Sequence, residues 1–237
     1  RDGGGGAVRR PRNPLSSTHM SASWGAIFDW DGVLVDSSAH HERSWELLSA
    51  ETGYRLPPDH FRRGFGMKNE QIIPELLGWT QDPAEIRRLS LRKEELFRES
   101  VQREGIEPLP GVRGFLKQLD RAGVPRIIAS STHRQNIETI LGLTGLNGFS
   151  GIVSAEDVER GKPAPDVFLL AAGRLNLPTH RCVVFEDSPV GLAAARAAGM
   201  RSVAVTTTHG ADTLRGADLI VPRLDALDLE QIARWFD

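Results

Sequence analysis

Two aspartates stand two positions apart after a short apolar run, and this spacing suits metal-assisted chemistry. The run GAIF (25–28) is typical of a buried strand, and Asp29, Trp30, Asp31 and Gly32 follow it. Side chains two residues apart on an extended strand point to the same side, so Asp29 and Asp31 share one face. Two carboxylates beside a turn form a cation site. A pair of turn or capping aspartates is the purely structural alternative.

A second acidic pair, Glu186 and Asp187, ends another apolar run, CVVF (182–185). If these carboxylates converge with Asp29 and Asp31, they repel one another unless a cation lies between them. Hard oxygen ligands in an open site suit Mg²⁺, which keeps several waters and often binds a substrate phosphate as well. Capping of the following helix is the alternative role for this second pair.

Two further segments carry groups that could bind a phosphate. Ser130 and Ser131 end the run PRIIAS (125–130) and its turn, where a hydroxyl and backbone N–H groups can hold a phosphate oxygen. Lys162 lies in GKPAPD (161–166), between a glycine and two prolines, a rigid setting that can direct its ammonium group at an anion. Helix capping by the serines and an exposed surface lysine are the alternatives.

The candidate residues follow apolar runs, and these runs alternate along the chain with helical patterns. Such alternation predicts a Rossmann-like α/β fold, a parallel sheet with helices on both faces, whose ligands bind at the carboxyl ends of the strands. Ser188 and Pro189 predict a helix start, and Gly199 predicts its end. The six predicted strands are GAIFDWDG (25–32), PRIIASS (125–131), GIVS (151–154), CVVFED (182–187), SVAVTT (202–207) and DLIV (218–221).

The segment 38–107 interrupts the alternation, because it contains helical patterns only. We predict helices over 41–52, 69–77 and 84–103, the last with an apolar stripe and many charges opposite it. The segment is therefore expected to be a helical cap domain inserted into a core formed by 24–37 and 108–237. Hinges are expected near Ser37 and Ser38 and near the Pro-Leu-Pro-Gly turn (108–111).

Four segments together resemble the haloacid dehalogenase-like phosphohydrolase superfamily, in the family's order. They are FDWDGVLVDS (28–37), IIASST (127–132), GKPAPDVF (161–168) and VVFEDSPVGLAAARAAGM (183–200). The first and last are highly specific, whereas the middle two are weak alone. The resemblance covers about 24–222, and within the superfamily the chain is similar to the beta-phosphoglucomutase and phosphoglycolate phosphatase group.

The resemblance implies a role for each matching residue. It makes Asp29 the nucleophile that becomes phosphorylated, and Asp31 the general acid and then the general base. It assigns Ser130 and Lys162 to the charge of the transferring phosphoryl group. The implied Mg²⁺ ligands are the Asp29 carboxylate, the Asp31 backbone carbonyl and Asp187, with Glu186 assisting.

The cap segment RRGFGMKNEQI (62–72) separates a phosphatase from a mutase. By the resemblance, the mutase has a Lys before the glycine and an Arg three residues after it, whereas here Phe65 precedes Gly66 and Asn69 holds the Arg position. Since a mutase must hold a doubly phosphorylated intermediate, the missing cations favour a phosphatase that hydrolyses a small phosphate monoester. The candidate substrate-binding residues are Ser131, His41, Gly66, Lys68 and Asn69.

A beta-phosphoglucomutase-type mutase and a non-catalytic regulator that binds a phosphometabolite remain the alternatives. His41 does not discriminate between them, because phosphatases of the group also have it and a hinge or packing role is equally open. The regulator alternative usually requires loss of an essential residue, and each one is present here.

Composition indicates an ordinary globular protein with a small phosphorylated metabolite as its partner. The 237 residues are 40% hydrophobic and 25% charged with a formal net charge of −2, which favours neither nucleic acid nor a membrane surface. The single cysteine, Cys182, lies in an apolar run and is expected to be buried and inert. We expect a monomer in the cytoplasm.

The first 23 residues differ from the rest, because they are rich in Gly, Arg and Ser without apolar periodicity. We expect them to be disordered, with Met20 as a candidate native start. A transit peptide is the alternative, although no amphipathic helix is apparent in the segment.

Overall fold

The computed structural model describes residues 24–64 and 67–237, and within them it contains a six-stranded sheet. Every neighbouring pair of strands is parallel, and the order is β3-β2-β1-β4-β5-β6. The predicted disorder of 1–23 falls outside the described residues. The strands are β1 Gly25–Phe28, β2 Arg126–Ala129, β3 Ile152–Val153, β4 Cys182–Glu186, β5 Arg201–Val205 and β6 Leu219–Val221.

The first strand lies in the middle of the sheet, between β2 and β4. Phe28 at its end is opposite Ile128 on one side and Phe185 on the other. Because all strands are parallel, the residues that follow β1, β2 and β4 meet at one edge of the sheet. This edge receives the acidic and hydroxyl residues singled out above.

Nine α-helices are present in the described ranges. The helix predicted over 69–77 is one α turn followed by a π-helical segment, Ile72–Leu76. The helices are α1 Ser38–Thr52, α2 His60–Gly64, α3 Asn69–Gln71, α4 Pro83–Glu104, α5 Val112–Ala122, α6 Arg134–Thr144, α7 Asp166–Leu175, α8 Pro189–Ala197 and α9 Leu229–Ala233.

Helices cover both faces of the sheet, and the strands alternate between two cores. Phe28 packs in one core with Phe115 of α5, whereas Ile27, its neighbour, packs in the other with Phe168 of α7. This alternation is the side-chain period of two expected of a strand buried on both faces. It confirms the predicted Rossmann-like architecture. Neighbouring side chains of β1 therefore enter opposite cores.

The helices α1 to α4 form a cap with its own hydrophobic core, built around Trp45, Leu48, Ile73, Leu89 and Leu96. Helix α4 begins with Pro83, and Asp82 caps it by accepting a hydrogen bond from Ala84 N at 3.1 Å. The two connections to the sheet run side by side, since Leu109 N donates to Leu34 O at 2.9 Å. The domain boundaries at 37/38 and 107/108 stay a prediction.

Helix composition and the single thiol complete the description. Within the ranges that the structure describes, no helix combines the length and apolar character required to span a bilayer. Cys182 is fully buried, and burial raises the pKa of its thiol to about 11. The thiol is therefore protonated at neutral pH and unreactive. The cytoplasmic location and the monomeric state stay predictions.

Candidate active site

Adjacent strand ends bring three carboxylates together. Asp29 directly follows β1, and its N–H donates to Phe185 O of β4 at 2.9 Å, which extends the ladder by one residue. Glu186 is the last residue of β4, and Asp187 comes next. One carboxylate oxygen from each of Asp29, Glu186 and Asp187 lies within 4.8 Å of the others. The convergence expected from the two apolar runs is therefore present in the fold.

Lys162 lies between two of these carboxylates. Its Nζ is 2.9 Å from Asp29 Oδ1 and 2.6 Å from Glu186 Oε1. Lys162 lies within a turn just before α7, in which Ala164 N donates to Gly161 O at 3.0 Å. Burial alone would lower the pKa of Lys162, but Asp29 and Glu186 raise it above its usual value. The ammonium group is therefore a permanent positive charge beside Asp29.

Glu186 is fully buried, and both of its carboxylate oxygens are already engaged. Oε1 accepts from Lys162, while Oε2 accepts from Asp187 N, Ser188 N and Ser188 Oγ, each at 2.9 Å. A Cβ on Gly191, in the first turn of α8, would collide with this carboxylate. Glu186 therefore orients Lys162 and the turn that carries Asp187, and its oxygens are less available to a metal than those of its neighbours.

The carboxylate oxygens of Asp29 and Asp187 are suitable ligands for a hard cation such as Mg²⁺. Asp29 Oδ1 is buried and accepts no hydrogen bond of normal geometry from the described residues, since its contact with Lys162 is an ion pair only. Asp187 is 4% exposed, and its Oδ2 accepts from Thr208 Oγ1. Gly32 leaves space beside Asp187, because a Cβ there would overlap that carboxylate. Oxygen ligands in this arrangement suit Mg²⁺.

Both candidate ligands have raised pKa values without a metal. Burial, partly opposed by Lys162, raises the pKa of Asp29 to about 7. Burial together with Asp29 and Glu186 raises the pKa of Asp187 to about 8. The cause is that three carboxylates share one buried site with one ammonium group, so a proton or a cation must neutralise the excess charge.

Asp31 lies apart from this cluster, in a hydroxyl cradle. Ser37 Oγ donates to its Oδ1, and Thr132 Oγ1 donates to its Oδ2. Burial raises the pKa of Asp31 above its usual value. The two hydroxyl groups and the charges of Lys93 and Lys162 offset only part of this rise. A carboxyl group whose pKa is raised in this way holds a proton more readily than an exposed aspartate does, which suits a general acid and base.

The two serines predicted to hold phosphate differ in exposure, and both line the same cavity as the acids. Ser130 is buried, and its Oγ accepts from Thr132 N at 3.2 Å, which leaves its own hydroxyl proton free to donate. Ser131 is exposed. Ser130 therefore has the geometry of a phosphate donor, whereas the role of Ser131 stays a prediction.

The cavity lies between the sheet edge and the cap, with a volume of about 670 Å³. His41 of α1 lines it, stacks on Phe97 at a centroid distance of 4.0 Å, and lies 2.7 Å from Lys93 Nζ through Nδ1. Burial and Lys93 lower the pKa of His41 to about 3, so its ring is neutral and Nδ1 accepts from the ammonium group. His41 therefore supports Lys93 at the cavity wall.

The cap residues predicted to select the substrate are placed differently from one another. Lys68 is exposed at the cavity mouth, whereas Asn69 is buried and donates from Nδ2 to Glu94 Oε1 at 2.7 Å. Gly66, also predicted to bind substrate, lies outside the described residues. Asn69 thus belongs to a polar network rather than to an open loop.

Three polar residues of the site escaped sequence reasoning. Lys93 and Glu94 were not singled out among the many charges of α4, yet they are 3% and 5% exposed and form an ion pair at 3.1 Å. The signal existed, because Lys93 lies four residues from both Leu89 and Phe97 and so continues the apolar stripe. Thr208, which binds Asp187, lies in a loop without a distinguishing pattern.

Comparison with known proteins agrees with this geometry. The model of haloacid dehalogenase-like hydrolases matches residues 25–199, which is most of the chain. The chain belongs to the haloacid dehalogenase-like hydrolase family. The match contains each of the acidic strand ends, Lys162 and the whole cap. The segment that identifies the family therefore includes the residues of the candidate active site.

Several curated relatives in this family are named as phosphatases. The chain is 40% identical over 231 residues to the chloroplastic 5-amino-6-(5-phospho-D-ribitylamino)uracil phosphatase of Arabidopsis thaliana, covering 95% of the chain but 61% of the relative. It is 34% identical over 205 residues to hexitol phosphatase A of Escherichia coli, covering 86% of the chain and 92% of the relative. The chain therefore spans less than two thirds of the first relative.

One solved structure and one mutase complete the comparison. CbbY from Rhodobacter sphaeroides in complex with phosphate has a TM-score of 0.76 at 26% identity, with 85% of this chain and 94% of that chain covered. The beta-phosphoglucomutase of Bacillus subtilis is 30% identical over 210 residues, covering 86% of this chain and 91% of the relative. The family thus includes both phosphatases and a phosphosugar mutase.

Proposed function

We propose that the chain is a Mg²⁺-dependent phosphatase of small phosphate monoesters that works through an aspartyl-phosphate on Asp29. One observation supports this above the others: Asp29 lies within ion-pair distance of Lys162, with Asp187 and Asp31 in the same cavity. A carboxylate attacks a phosphate dianion only when nearby positive charge offsets their repulsion.

In the first half-reaction, Asp29 attacks phosphorus in line with the leaving oxygen. Lys162, oriented by Glu186, compensates charge on the phosphoryl oxygens, and Ser130 Oγ donates to one of them. Mg²⁺ held by Asp29, Asp187 and the Asp31 carbonyl would supply further charge neutralisation and a fixed orientation for the phosphate. These residues surround the phosphate with positive charge and donors.

Asp31 handles the protons of both half-reactions. In its protonated form it donates to the leaving alkoxide, and the resulting carboxylate then takes a proton from the water that attacks the aspartyl-phosphate. Ser37 and Thr132 hold both oxygens of Asp31 in place during this exchange. The alcohol and inorganic phosphate are the products.

A contact at helix α6 favours a phosphatase over a phosphosugar mutase. The N-terminus of α6 faces the cavity and could receive a second phosphate, but Glu156 already lies there, 3.2 Å and 3.3 Å from Arg134 N. The side chain of Arg134 is bound to Asp157 at 2.6 Å. A mutase must bind both phosphates of its intermediate. The Glu156 carboxylate would repel the second phosphate at this helix end, which counts against a mutase.

The substrate is then a small metabolite with one phosphate. The relatives named above act, by their names, on a phosphoribitylamino-uracil and on hexitol phosphates, both phosphate esters of open-chain alcohols. We take uncharged alcohols of this size as the class of leaving group.

Phosphate release tests the proposal. Purified protein with Mg²⁺ is expected to release inorganic phosphate from at least one member of a panel of sugar and polyol monophosphates, and Asp29→Asn is expected to abolish this release with the circular dichroism spectrum unchanged. Interconversion of sugar 1- and 6-phosphates without phosphate release would indicate a mutase, and activity retained by Asp29→Asn would rule out the covalent route.

A further inference from the structure

The loop that follows β5, residues 206–209, is bound to the sheet edge that carries the acids. Its first residue continues the sheet, since Thr206 N donates to Val221 O of β6 at 3.0 Å. Thr207 Oγ1 then donates to Gly32 O, in the turn after β1. The loop therefore reaches from the edge strand β6 to the turn beside the candidate metal site.

The third residue of this loop, Thr208, holds one oxygen of the Asp187 carboxylate. An ionised carboxylate only accepts hydrogen bonds, so Thr208 Oγ1 donates to Asp187 Oδ2. The same oxygen lies against Gly32, because a Cβ built there would overlap it. The hydrogen bonds that reach Asp187 from the described residues leave its Oδ1 without a donor. Oδ1 is therefore the oxygen available to a cation.

The main chain of Asp187 is held by the same loop. His209 Nδ1 lies 3.0 Å from Asp187 O, and because a carbonyl oxygen only accepts, Nδ1 carries the proton. Thr208 Oγ1 lies 3.2 Å from the same carbonyl oxygen and 2.9 Å from His209 Nδ1. Asp187 N in turn donates to Glu186 Oε2 at 2.9 Å. Asp187 is thus held at its N–H, its carbonyl oxygen and one carboxylate oxygen.

The hydroxyl of Thr208 is the fixed donor to the carboxylate of Asp187. Lys162 forms its ion pairs with Asp29 and Glu186, and no other basic side chain of the described residues forms one with Asp187. A carboxylate that is not held rotates, and a cation must stop that rotation when it binds. Groups that hydrogen-bond a ligating carboxylate orient it, and their loss typically weakens metal binding by about 10- to 100-fold.

We propose that Thr208 is a positioning residue for the candidate Mg²⁺ site, where it holds Asp187 Oδ2 and so presents Oδ1 to the cation. This inference rests on the proposed function, because it takes Asp187 as a ligand of Mg²⁺. Thr208 does not line the cavity, so it acts through Asp187 and not by contact with a substrate. It therefore sets the affinity for Mg²⁺ and leaves the chemistry at Asp29 unchanged.

Mg²⁺ binding by matched variants of the full chain tests the inference, with calorimetric titration at one fixed pH. Thr208→Val keeps the branched shape but loses the hydroxyl, and it is expected to weaken Mg²⁺ binding by about tenfold or more. Thr208→Ser keeps the hydroxyl and is expected to bind within about threefold of the wild type. Thr213→Val is the control, because Thr213 Oγ1 donates to Gly210 O at 2.8 Å, away from the acids. It should bind Mg²⁺ like the wild type.

Phosphate release as a function of Mg²⁺ concentration separates positioning from general distortion. In Thr208→Val the Mg²⁺ concentration for half-maximal release should rise by the same factor as the dissociation constant, whereas kcat at saturating Mg²⁺ should change less than about threefold. If Thr208→Val is unstable in thermal melting without Mg²⁺, Thr208→Ala removes the same hydroxyl without added bulk and should show the same loss of affinity.

Wild-type affinity in the variants without the hydroxyl, or an equal loss in Thr208→Ser, would overturn the inference. A fall in kcat at saturating Mg²⁺ as large as the fall in affinity would also overturn it. Mg²⁺ binding by the wild-type protein without phosphate release from any ester would contradict the proposed phosphatase alone, and weaker binding by Thr208→Val would still confirm the inference. Absence of Mg²⁺ binding by the wild-type protein would overturn both.

Discussion

Binding of Mg²⁺ to the metal-free protein should depend steeply on pH, because the two carboxylates proposed as its ligands have pKa values near 7 and 8. At pH 6, about one tenth of Asp29 and about one hundredth of Asp187 are ionised. At pH 8 these fractions rise to about nine tenths and about one half. Mg²⁺ requires both carboxylates ionised, so protons and the metal compete for the same oxygens.

The magnitude follows from these fractions. The dissociation constant for Mg²⁺ should fall by about 10²- to 10³-fold between pH 6 and pH 8. About two protons should be released for each Mg²⁺ bound at pH 6, and fewer than about one at pH 8. A site with ordinary carboxylate pKa values would release almost none at either pH.

The same groups make the stability of the metal-free fold depend on pH. Their pKa values are raised in the folded state, so the folded protein binds more protons than the unfolded chain between about pH 4 and pH 8. This contribution is fully present below about pH 4 and is lost as the pH rises through 7 and 8. Added Mg²⁺ should therefore raise the melting temperature more at pH 8 than at pH 6.

Titration calorimetry in two buffers of different ionisation enthalpy measures both the affinity and the number of protons released. Asp187→Asn is the control, since it removes one ligand and should abolish the pH-dependent binding. An affinity that does not change between pH 6 and pH 8, or binding without proton release at pH 6, would refute the assignment of these two carboxylates as the metal site.

Three substitutions test other parts of the site. Asp31→Asn cannot exchange a proton, so kcat should fall by about 10²-fold or more, and an unchanged pH–rate profile would exclude the acid–base role. Lys162→Met should lower kcat/KM by about 10²- to 10³-fold, with Lys162→Arg less affected; equal loss in both would indicate a packing role. Gly191→Ala should displace the Glu186 carboxylate and lower kcat, whereas Gly114→Ala, which has open space around it, should leave activity unchanged; wild-type activity of the first variant would contradict the orienting role.

The architecture was predictable from the sequence because apolar runs and turn residues determine it locally. All six predicted strands are present, although each is shorter than predicted. The run 25–32, for example, was assigned as a strand with its turn, but the strand ends at Phe28. The reason is the turn that follows, in which Gly32 N donates to Val35 O at 2.7 Å and takes the chain out of the sheet.

The reacting groups were also accessible to sequence reasoning, since strand ends of a parallel sheet share one edge. What the sequence did not reveal is how side chains from distant segments pair. Thr132 was part of a recognised segment, yet its bond to Asp31 spans about one hundred residues of chain. Glu94 contacts Asn69 of α3 and Asn136 of α6, and only the tertiary packing of α4 brings these three together.

The joint between cap and core combines apolar contacts, made by Phe97 and Val101 of α4, with ionic and amide contacts. Glu94 and Arg98 of α4 both bind Asn136 of α6, at 2.5 Å and 2.9 Å. If α4 separated from α6 on product release, these groups would regain hydration, which would offset part of the free energy of the broken contacts. The polar part of this joint would then lower the cost of opening the cavity, compared with a wholly apolar contact of equal area.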